Sequence, residues 1–302
     1  MIYNILLTSN DSFSQHCGVC IISLLKNNIK SNFHIVVAGV SLSNESKNNL
    51  FKCIEGFNNV QLEIIDFSSE RLQPFPLINQ YNKDIYLRFW VDEFFGKQEK
   101  RVLYIDSDTI VVGDISELFE LTYDDFVIGA VDIPFSDSHN RCHLPTEYNY
   151  FNSGVLLFNL DAWREGQYRD VLLQFLIDNE EIALNPDQDA LNGVLHKQRY
   201  SLDYTFNVIT PFFRRNSFAK LGDKELKRVR NNAKIVHFNG RARPWYYTCN
   251  HPYQKMYFKY LKQSPWKNFR PSDKSFFNLI KKWLRLILRK ESFIVMKSLN
   301  GE

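Results

Sequence analysis

Long hydrophobic runs are absent from this sequence of 302 residues. No stretch approaches the roughly 18 continuous apolar residues that a transmembrane helix needs, so we expect no membrane span. The first residues carry no basic segment ahead of an apolar one, so we also expect no secretory signal peptide. Internal repeats and low-complexity linkers are missing too. With 44% hydrophobic and 24% charged residues, the composition indicates a globular protein rather than a disordered one.

Cysteine is scarce, with five residues in the chain. Two of them form a Cys-x-x-Cys within an apolar helical stretch, and no second pair follows to complete a zinc site. We therefore expect reduced, buried thiols, which fit a reducing cytoplasm. The cysteines are Cys17, Cys20, Cys53, Cys142 and Cys249.

Excess positive charge is confined to the C-terminal tail, residues 265–302. The tail has nine basic and three acidic residues, whereas the rest of the chain has 28 and 31. On a helical wheel, the apolar residues from Phe276 to Leu288 fill an arc of roughly 200°. We expect such a helix to lie on anionic membrane lipids; a helix docked on the rest of the protein is the alternative. Lys281, Lys282, Arg285 and Arg289 lie opposite the apolar arc, and Lys290 lies within it.

Short apolar runs alternate with helical patterns in the first half of the chain, which predicts an α/β fold with a mostly parallel, doubly wound sheet. The predicted strands there are 3–8, 34–37, 61–67 and 101–105, and the predicted helices are 14–26, 43–54 and 84–95. The second half is less regular, with strands at 126–131, 154–160 and 235–238 and helices at 162–179 and 186–195. The predicted boundary before the tail is 265–271.

Two aspartates, Asp106 and Asp108, directly follow the apolar strand 101–105. Ligands of open α/β sheets bind at the carboxyl ends of the strands. Carboxylates two residues apart point the same way in an extended chain, and they repel each other unless a cation lies between them. Mg²⁺ and Mn²⁺ both suit such oxygens. Taken alone, the pair is equally compatible with a turn cap.

Four segments, in order along the chain, resemble the core of the family 8 glycosyltransferases. These include the bacterial lipopolysaccharide and lipooligosaccharide galactosyl- and glucosyltransferases. The segments are Tyr86-Leu-Arg88 with 101–108, 150–159 with Trp163, 186–192, and 237–245. The resemblance covers roughly residues 3–250. It implies a Rossmann-like GT-A fold over residues 1–264, with a nucleotide-sugar half of about 1–125 and an acceptor half of about 126–264.

The same resemblance implies a retaining transfer of galactose or glucose from a UDP-sugar to a glycan acceptor such as lipopolysaccharide core. It implies Mn²⁺ or Mg²⁺ held by Asp106, Asp108 and His237. The implied catalytic residues are Gln188, Asp187 and Arg88, and front-face attack and double displacement both stay open. The implied donor-binding residues are Thr8, Asn10, Phe13, Arg88, Asp106, Ser107, Asn152, Asp187, Gly240 and Arg243, and Asp132 is the candidate acceptor contact.

Three of these positions differ from many relatives, but each keeps the needed chemistry. Phe13 stands where tyrosine is common, and a flat apolar face suffices to stack on uracil. Asn10 stands where some relatives have aspartate, and an amide oxygen still accepts from uracil N3–H. Arg243 stands where lysine is common, and its guanidinium keeps the charge toward a diphosphate. The alternative for Arg241 and Arg243 is a solvated basic loop.

Two other functions compete with this hypothesis. A magnesium-dependent phosphohydrolase also carries an Asp-x-Asp after a strand, but it favours Thr or Val where this chain has Ile110. A non-catalytic nucleotide-sugar-binding protein is the second alternative, and the complete set of candidate polar residues weighs against it. We expect no nucleic-acid partner, and we expect the enzyme to act in the cytoplasm, peripherally on the inner face of the cell membrane.

Overall fold

A computed structural model describes residues 1–79, 81–122, 125–134, 136–215, 221–240, 243–287 and 293–294, with only the backbone of 285–287. Arg241 and the tail residues Leu288, Arg289 and Lys290 lie outside the described residues. In the described part of the chain, no helix has both the length and the apolarity to cross a bilayer. All five cysteines are buried, and none forms a disulfide.

The strands form a large sheet and a small one. The large sheet has seven strands in the order β3-β2-β1-β4-β7-β6-β8, and the small one has the order β5-β10-β9. The strands are β1 (Ile2–Thr8), β2 (Asn32–Gly39), β3 (Val60–Asp66), β4 (Arg101–Ile105), β5 (Thr109–Val111), β6 (Ile128–Asp132), β7 (Phe151–Asn159), β8 (Arg199–Ser201), β9 (Val208–Ile209) and β10 (Ile235–His237).

Most neighbours in the large sheet are parallel, as predicted. Strands β3, β2, β1 and β4 run parallel to one another, and β6 runs parallel to β8. Strand β7 is antiparallel to both β4 and β6. The carboxyl ends of β1 and β4 therefore share one edge with the amino end of β7, and side chains at these three strand ends lie close together.

The helices pack on both faces of the large sheet. Ser43 caps α2 by accepting from the Ser46 amide. The α-helices are α1 (Ser14–Asn27), α2 (Asn44–Lys52), α3 (Val91–Phe94), α4 (Ser138–Arg141), α5 (Leu160–Gly166), α6 (Tyr168–Asp178), α7 (Pro186–Leu195), α8 (Asp223–Asn231), α9 (Gln254–Leu261) and α10 (Phe276–Ile287). Short 3₁₀ helices cover Ser69–Leu72, Lys83–Trp90, Ser116–Leu118, Tyr204–Phe206 and Thr210–Phe213.

Two predicted helices differ from the structure. The segment 84–95 is a 3₁₀ helix followed by the single turn α3. Residues 86–90 are all buried, so apolar and polar residues do not alternate with a helical period here. Without that period, the sequence does not distinguish an α-helix from a 3₁₀ helix.

The segment 162–179 is divided into α5 and α6 by Gln167, which has a left-handed φ of 46°. The break lets Tyr168 fold back over Gly166, since a Cβ on that glycine would lie 2.2 Å from the ring.

Candidate active site

Three side chains from distant parts of the chain meet beyond the end of β4. Asp106 follows β4, Asp108 precedes β5, and His237 ends β10. In the antiparallel pairing of β5 with β10, His237 lies opposite Thr109, and the Phe238 amide donates to the Asp108 carbonyl at 2.9 Å. One ligand atom from each of the three side chains lies within 4.8 Å of the other two. The small sheet therefore completes the cluster that the sequence predicts.

The donor set of this cluster fits a hard divalent cation that also accepts one nitrogen. His237 Nε2 lies 3.1 Å from Asp108 Oδ1 and 3.6 Å from Asp106 Oδ2. Two carboxylates and one imidazole suit Mn²⁺ or Mg²⁺. Gly154 permits this approach, because a Cβ there would lie 2.2 Å from His237 Cε1 and 2.8 Å from Asp106 Oδ2. Any larger residue at 154 would displace two of the three candidate ligands.

Within the cluster, His237 and Asp108 shift each other's pKa. Burial works to lower the pKa of His237, but Asp108 and then Asp106 outweigh burial and raise that pKa above its ordinary value. Burial works to raise the pKa of Asp108, but His237 brings that pKa below its ordinary value. Each of these two side chains therefore favours the charged form of the other. A cation coordinated by Nε2 displaces any proton that this nitrogen carries.

Arg88 joins the cluster to the start of α7. Its Nη2 donates to Asp106 Oδ1 at 3.0 Å, and its Nη1 lies 3.1 Å from Asp187 Oδ2. Nη1 also donates to the Ser153 carbonyl at 2.7 Å, and the guanidinium lies 4.3 Å from the centre of the Tyr104 ring. Arg88 is only 4% exposed and Asp187 is buried with it, so the contact between them is shielded from water. It holds two carboxylates that would otherwise repel each other.

Tyr104 fixes the orientation of the Asp106 carboxylate. Its hydroxyl donates to Asp106 Oδ1 at 2.6 Å and lies 3.0 Å from Thr8 Oγ1. Oδ1 is thus occupied by Tyr104 and Arg88, which leaves Oδ2 facing His237. Ser107 joins the same strand ends, since its hydroxyl donates to the Thr8 carbonyl at 2.7 Å.

The first turn of α7 presents Asp187 and Gln188 to the amino end of β7. Ser153 Oγ donates to Asp187 Oδ2 at 2.9 Å, and burial raises the pKa of Asp187. Gln188 Oε1 accepts from Asn152 Nδ2 at 2.7 Å and from the Ser153 amide at 3.0 Å. Its Nε2 donates to Tyr150 Oη at 2.9 Å. Both ends of the Gln188 amide are thereby held in place.

Residues 9–13 form the turn after β1, which we call the uridine turn because it contains Asn10 and Phe13, the predicted uracil contacts. Asn10 Oδ1 accepts from the Phe13 amide at 3.2 Å, and Asn10 Nδ2 donates to Asp84 at 3.3 Å. A cavity of about 550 Å³ opens beside this turn, lined by Asn10, Asp84 and Lys83 among others. This cavity lies next to the turn rather than over the three candidate ligands. The Asp84 contact brings the 3₁₀ helix of Arg88 to the same turn.

Arg243 lies close to Phe13 of this turn and to Trp245, which follows β10. Its guanidinium is 5.9 Å from the Phe13 ring centre and 5.6 Å from that of Trp245. Its Nε donates to the carbonyl of Gly240, which has a positive φ of 79°. His16 stacks on Trp245 with ring centres 3.7 Å apart, and burial lowers its pKa to about 4, so it is neutral. Arg243 thus lies beside Phe13, and the predicted contacts of Arg243 and Gly240 with the diphosphate stay predictions.

Asp132 ends β6 and pairs with Arg199 of β8. It also accepts from Asn149 Nδ2 at 3.1 Å, and burial raises its pKa. Across the β6–β7 pairing it lies opposite Phe151, beside Asn152. Its predicted contact with the acceptor stays a prediction, as do the individual contacts of the other residues with the donor.

Tyr104, His16 and Gly154 are among the residues that support the site but were not predicted. Tyr104 and Gly154 lie within segments that carry the family resemblance, so their positions were visible but their roles were not. His16 lies in the apolar pattern of α1, where nothing marks it as a neighbour of Trp245. Their roles depend on contacts between segments far apart in sequence.

Comparison with known proteins agrees with this geometry. The family model described as "Glycosyl transferase family 8" matches residues 4–249. General stress protein A of Bacillus subtilis (strain 168) is 27% identical, over 88% of this chain and 95% of that protein. Lipopolysaccharide 1,2-glucosyltransferase of Escherichia coli (strain K12) is 26% identical, over 90% of this chain and 81% of that protein.

Among solved structures, a similar one is the galactosyltransferase LgtC in complex with donor and acceptor sugar analogs. Its TM-score is 0.74 at 20% identity, and the match covers 89% of this chain and 98% of that chain. This likeness, together with the order and direction of the strands, confirms the predicted GT-A fold.

Proposed function

The chain belongs to glycosyl transferase family 8, and we propose that it moves a hexose from a UDP-sugar to a glycan in a retaining, metal-dependent reaction. The observation that carries this proposal is the meeting of Asp106, Asp108 and His237 at the strand ends. Arg88 connects this cluster directly to Asp187. A cation site and a polar turn for the sugar are therefore adjacent.

Residues in different parts of the site have different roles in the proposed reaction. Asp106, Asp108 and His237 would hold the cation, which when bound supplies a Lewis acid for the charge growing on the departing diphosphate. Arg243 and the backbone at Gly240 add fixed positive potential on the same side. These groups are already in place, so no reorganisation is needed as charge develops.

The hexose lies, in this proposal, over the first turn of α7. Asp187 has one oxygen engaged by Ser153 and Arg88 and offers the remaining one to sugar hydroxyls. Gln188, with its amide fixed at both ends, lies beside it. The relatives named as a glucosyltransferase and a galactosyltransferase support glucose or galactose as the sugar. The lipopolysaccharide relative supports a cell-surface glycan acceptor, such as lipopolysaccharide core.

A donor screen tests this function. The protein is incubated with UDP-, GDP- and dTDP-hexoses plus Mn²⁺, and the release of the nucleoside diphosphate is measured with and without glycan acceptors. We expect release of UDP from UDP-galactose or UDP-glucose, suppressed by a chelator. Release of inorganic phosphate instead would support the phosphohydrolase alternative. Binding of UDP-sugar without turnover of any donor would support a non-catalytic binder.

We also propose that α10 lies on an anionic membrane surface at the inner face of the cell membrane. The apolar side chains described for α10, from Phe276 to Leu284, are exposed. On the other side, Lys282 donates to the Tyr247 carbonyl at 2.8 Å and lies 4.9 Å from that ring. The helix thus turns its apolar face away from the protein. The exposed apolar residues are Phe276, Phe277, Leu279, Ile280, Trp283 and Leu284.

Replacing Phe276, Phe277 and Trp283 together by serine is expected to abolish binding to anionic vesicles, because these rings supply much of the exposed apolar area. Co-sedimentation with phosphatidylglycerol-containing vesicles measures the effect, and Phe51→Ser, an exposed ring on α2, is the matched control. Truncation after Ser264 is a poorer test, since Trp266 packs against Gly18. Wild-type protein that stays in the supernatant with these vesicles would contradict the proposal.

A further inference from the structure

Asn207 lies behind His237, on the side away from the carboxylates. It directly precedes β9, which pairs in parallel with β10. It is fully buried, and its Oδ1 lies 3.1 Å from His237 Nδ1. Its Nδ2 donates to Asn152 Oδ1 at 2.7 Å, and that oxygen is itself 3.0 Å from His237 Nδ1. The imidazole nitrogen that faces away from Asp106 and Asp108 therefore meets two amide side chains.

Backbone donors determine which way these amides point. The Gly154 amide donates to Asn152 Oδ1 at 3.0 Å, so that atom must be the oxygen. At the other end, Asn152 Nδ2 donates to Gln188 Oε1, which also accepts from the Ser153 amide. With Asn152 fixed in this way, Asn207 must direct its Nδ2 to Asn152 and its Oδ1 to His237. The reverse orientation of Asn207 would place its oxygen against the Asn152 oxygen, and neither atom could donate.

Both amide atoms that face His237 Nδ1 are thus oxygens, which only accept hydrogen bonds. Nδ1 must carry the hydrogen, and the lone pair of the neutral ring is left on Nε2, beside Asp106 and Asp108. We propose that Asn207 is a positioning residue that fixes the tautomer and ring plane of His237 and thereby sets the affinity of the divalent-cation site. The inference rests on the proposed cation role of His237. Outer partners of metal-bound histidines commonly act in this way.

Binding of Mn²⁺ to the protein without any sugar substrate tests this role, with isothermal titration as the readout. Asn207→Leu keeps the approximate volume and removes the acceptor. Because Asn152 Oδ1 remains as a second acceptor, we expect a loss of about 10-fold in Mn²⁺ affinity, the lower end for outer partners. The matched control is Asn192→Leu, since Asn192 is also fully buried and hydrogen-bonds the Phe151 backbone and the Gln188 carbonyl.

Both leucine variants lose buried hydrogen bonds, so both are expected to unfold at lower temperature. Only Asn207→Leu is expected to weaken Mn²⁺ binding, which separates positioning from stability. Equal affinity of Asn207→Leu and wild type, or equal losses in both variants, would overturn the proposal.

A second measurement needs no variant. In ¹⁵N-histidine NMR spectra of the wild-type protein with Mg²⁺, we expect His237 to carry its hydrogen on Nδ1, and hydrogen on Nε2 would overturn the proposal. If the wild-type protein binds neither Mn²⁺ nor Mg²⁺, both this role of Asn207 and the cation site are overturned. A failed donor screen alone would overturn only the proposed transfer.

Discussion

Asp108→Asn is expected to reduce hexose transfer by about 10³-fold while leaving the protein folded. A cation that stabilises a departing diphosphate contributes several kcal/mol to the transition state, and each 1.36 kcal/mol is about tenfold in rate. The amide keeps the shape of the side chain but lacks the negative charge. The change also removes the repulsion between Asp106 and Asp108, and His237 can stay neutral beside the amide, so we expect the fold to persist. Steady-state UDP release and circular dichroism measure the two outcomes.

Asp161→Asn is the matched control for this experiment. Asp161 lies in the first turn of α5, just after the carboxyl end of β7, and therefore at the opposite edge of the sheet from the site. Its carboxylate is 60% exposed, so its replacement is expected to leave transfer unchanged. Transfer that survives in a variant with both Asp106→Asn and Asp108→Asn, in the presence of a chelator, would contradict the proposed cation role.

Arg88→Leu is expected to lower both stability and activity. Removing one partner of a buried ion pair typically costs about 3–5 kcal/mol, because the opposite charge is left unpaired. Asp187 is buried and loses its ion-pair partner, whereas Asp106 is partly exposed and keeps Tyr104. We therefore expect a loss near the lower end of that range, about 3 kcal/mol. Urea denaturation measures the loss, and donor turnover is expected to fall with it.

The pH dependence of this loss identifies its cause. Burial already raises the pKa of Asp187, and removal of Arg88 raises that pKa further. A native carboxyl with a raised pKa binds a proton more readily than the unfolded chain, so the stability deficit of Arg88→Leu shrinks as pH falls through that pKa. Arg88→Lys keeps the charge but cannot contact Asp106, Asp187 and the Ser153 carbonyl together. We expect its free energy of unfolding to lie between those of wild type and Arg88→Leu. An unfolding free energy unchanged in Arg88→Leu would contradict this account.

Most elements in the first half of the fold were predictable because they carry a local signal. Strands β1 and β4 are apolar runs with polar residues at their carboxyl ends, and Asp106 and Asp108 are adjacent to one of them. In the second half, β8 and β9 have three and two residues, too few to show a period. Helix α8 is strongly charged, with two buried residues, so its pattern does not resemble a core helix.

The same contrast applies to the site. His237 was placed through its family motif, since an isolated histidine in an apolar strand has no local mark of metal binding. Asn207 has neither a motif nor a pattern, and its position beside His237 follows from the β9–β10 pairing and from Asn152, 55 residues earlier in the chain. Gly154 was part of a recognised segment, but only the packing of His237 against it explains why a glycine is required.

Crystals grown with UDP and Mn²⁺ provide the most direct test, because anomalous scattering locates the ion without reference to activity. We expect one anomalous peak bound by Asp106, Asp108 and His237 Nε2, with the diphosphate of UDP completing the coordination and the uracil beside Phe13. A manganese peak elsewhere, or UDP bound away from the strand ends of β1 and β4, would contradict the account.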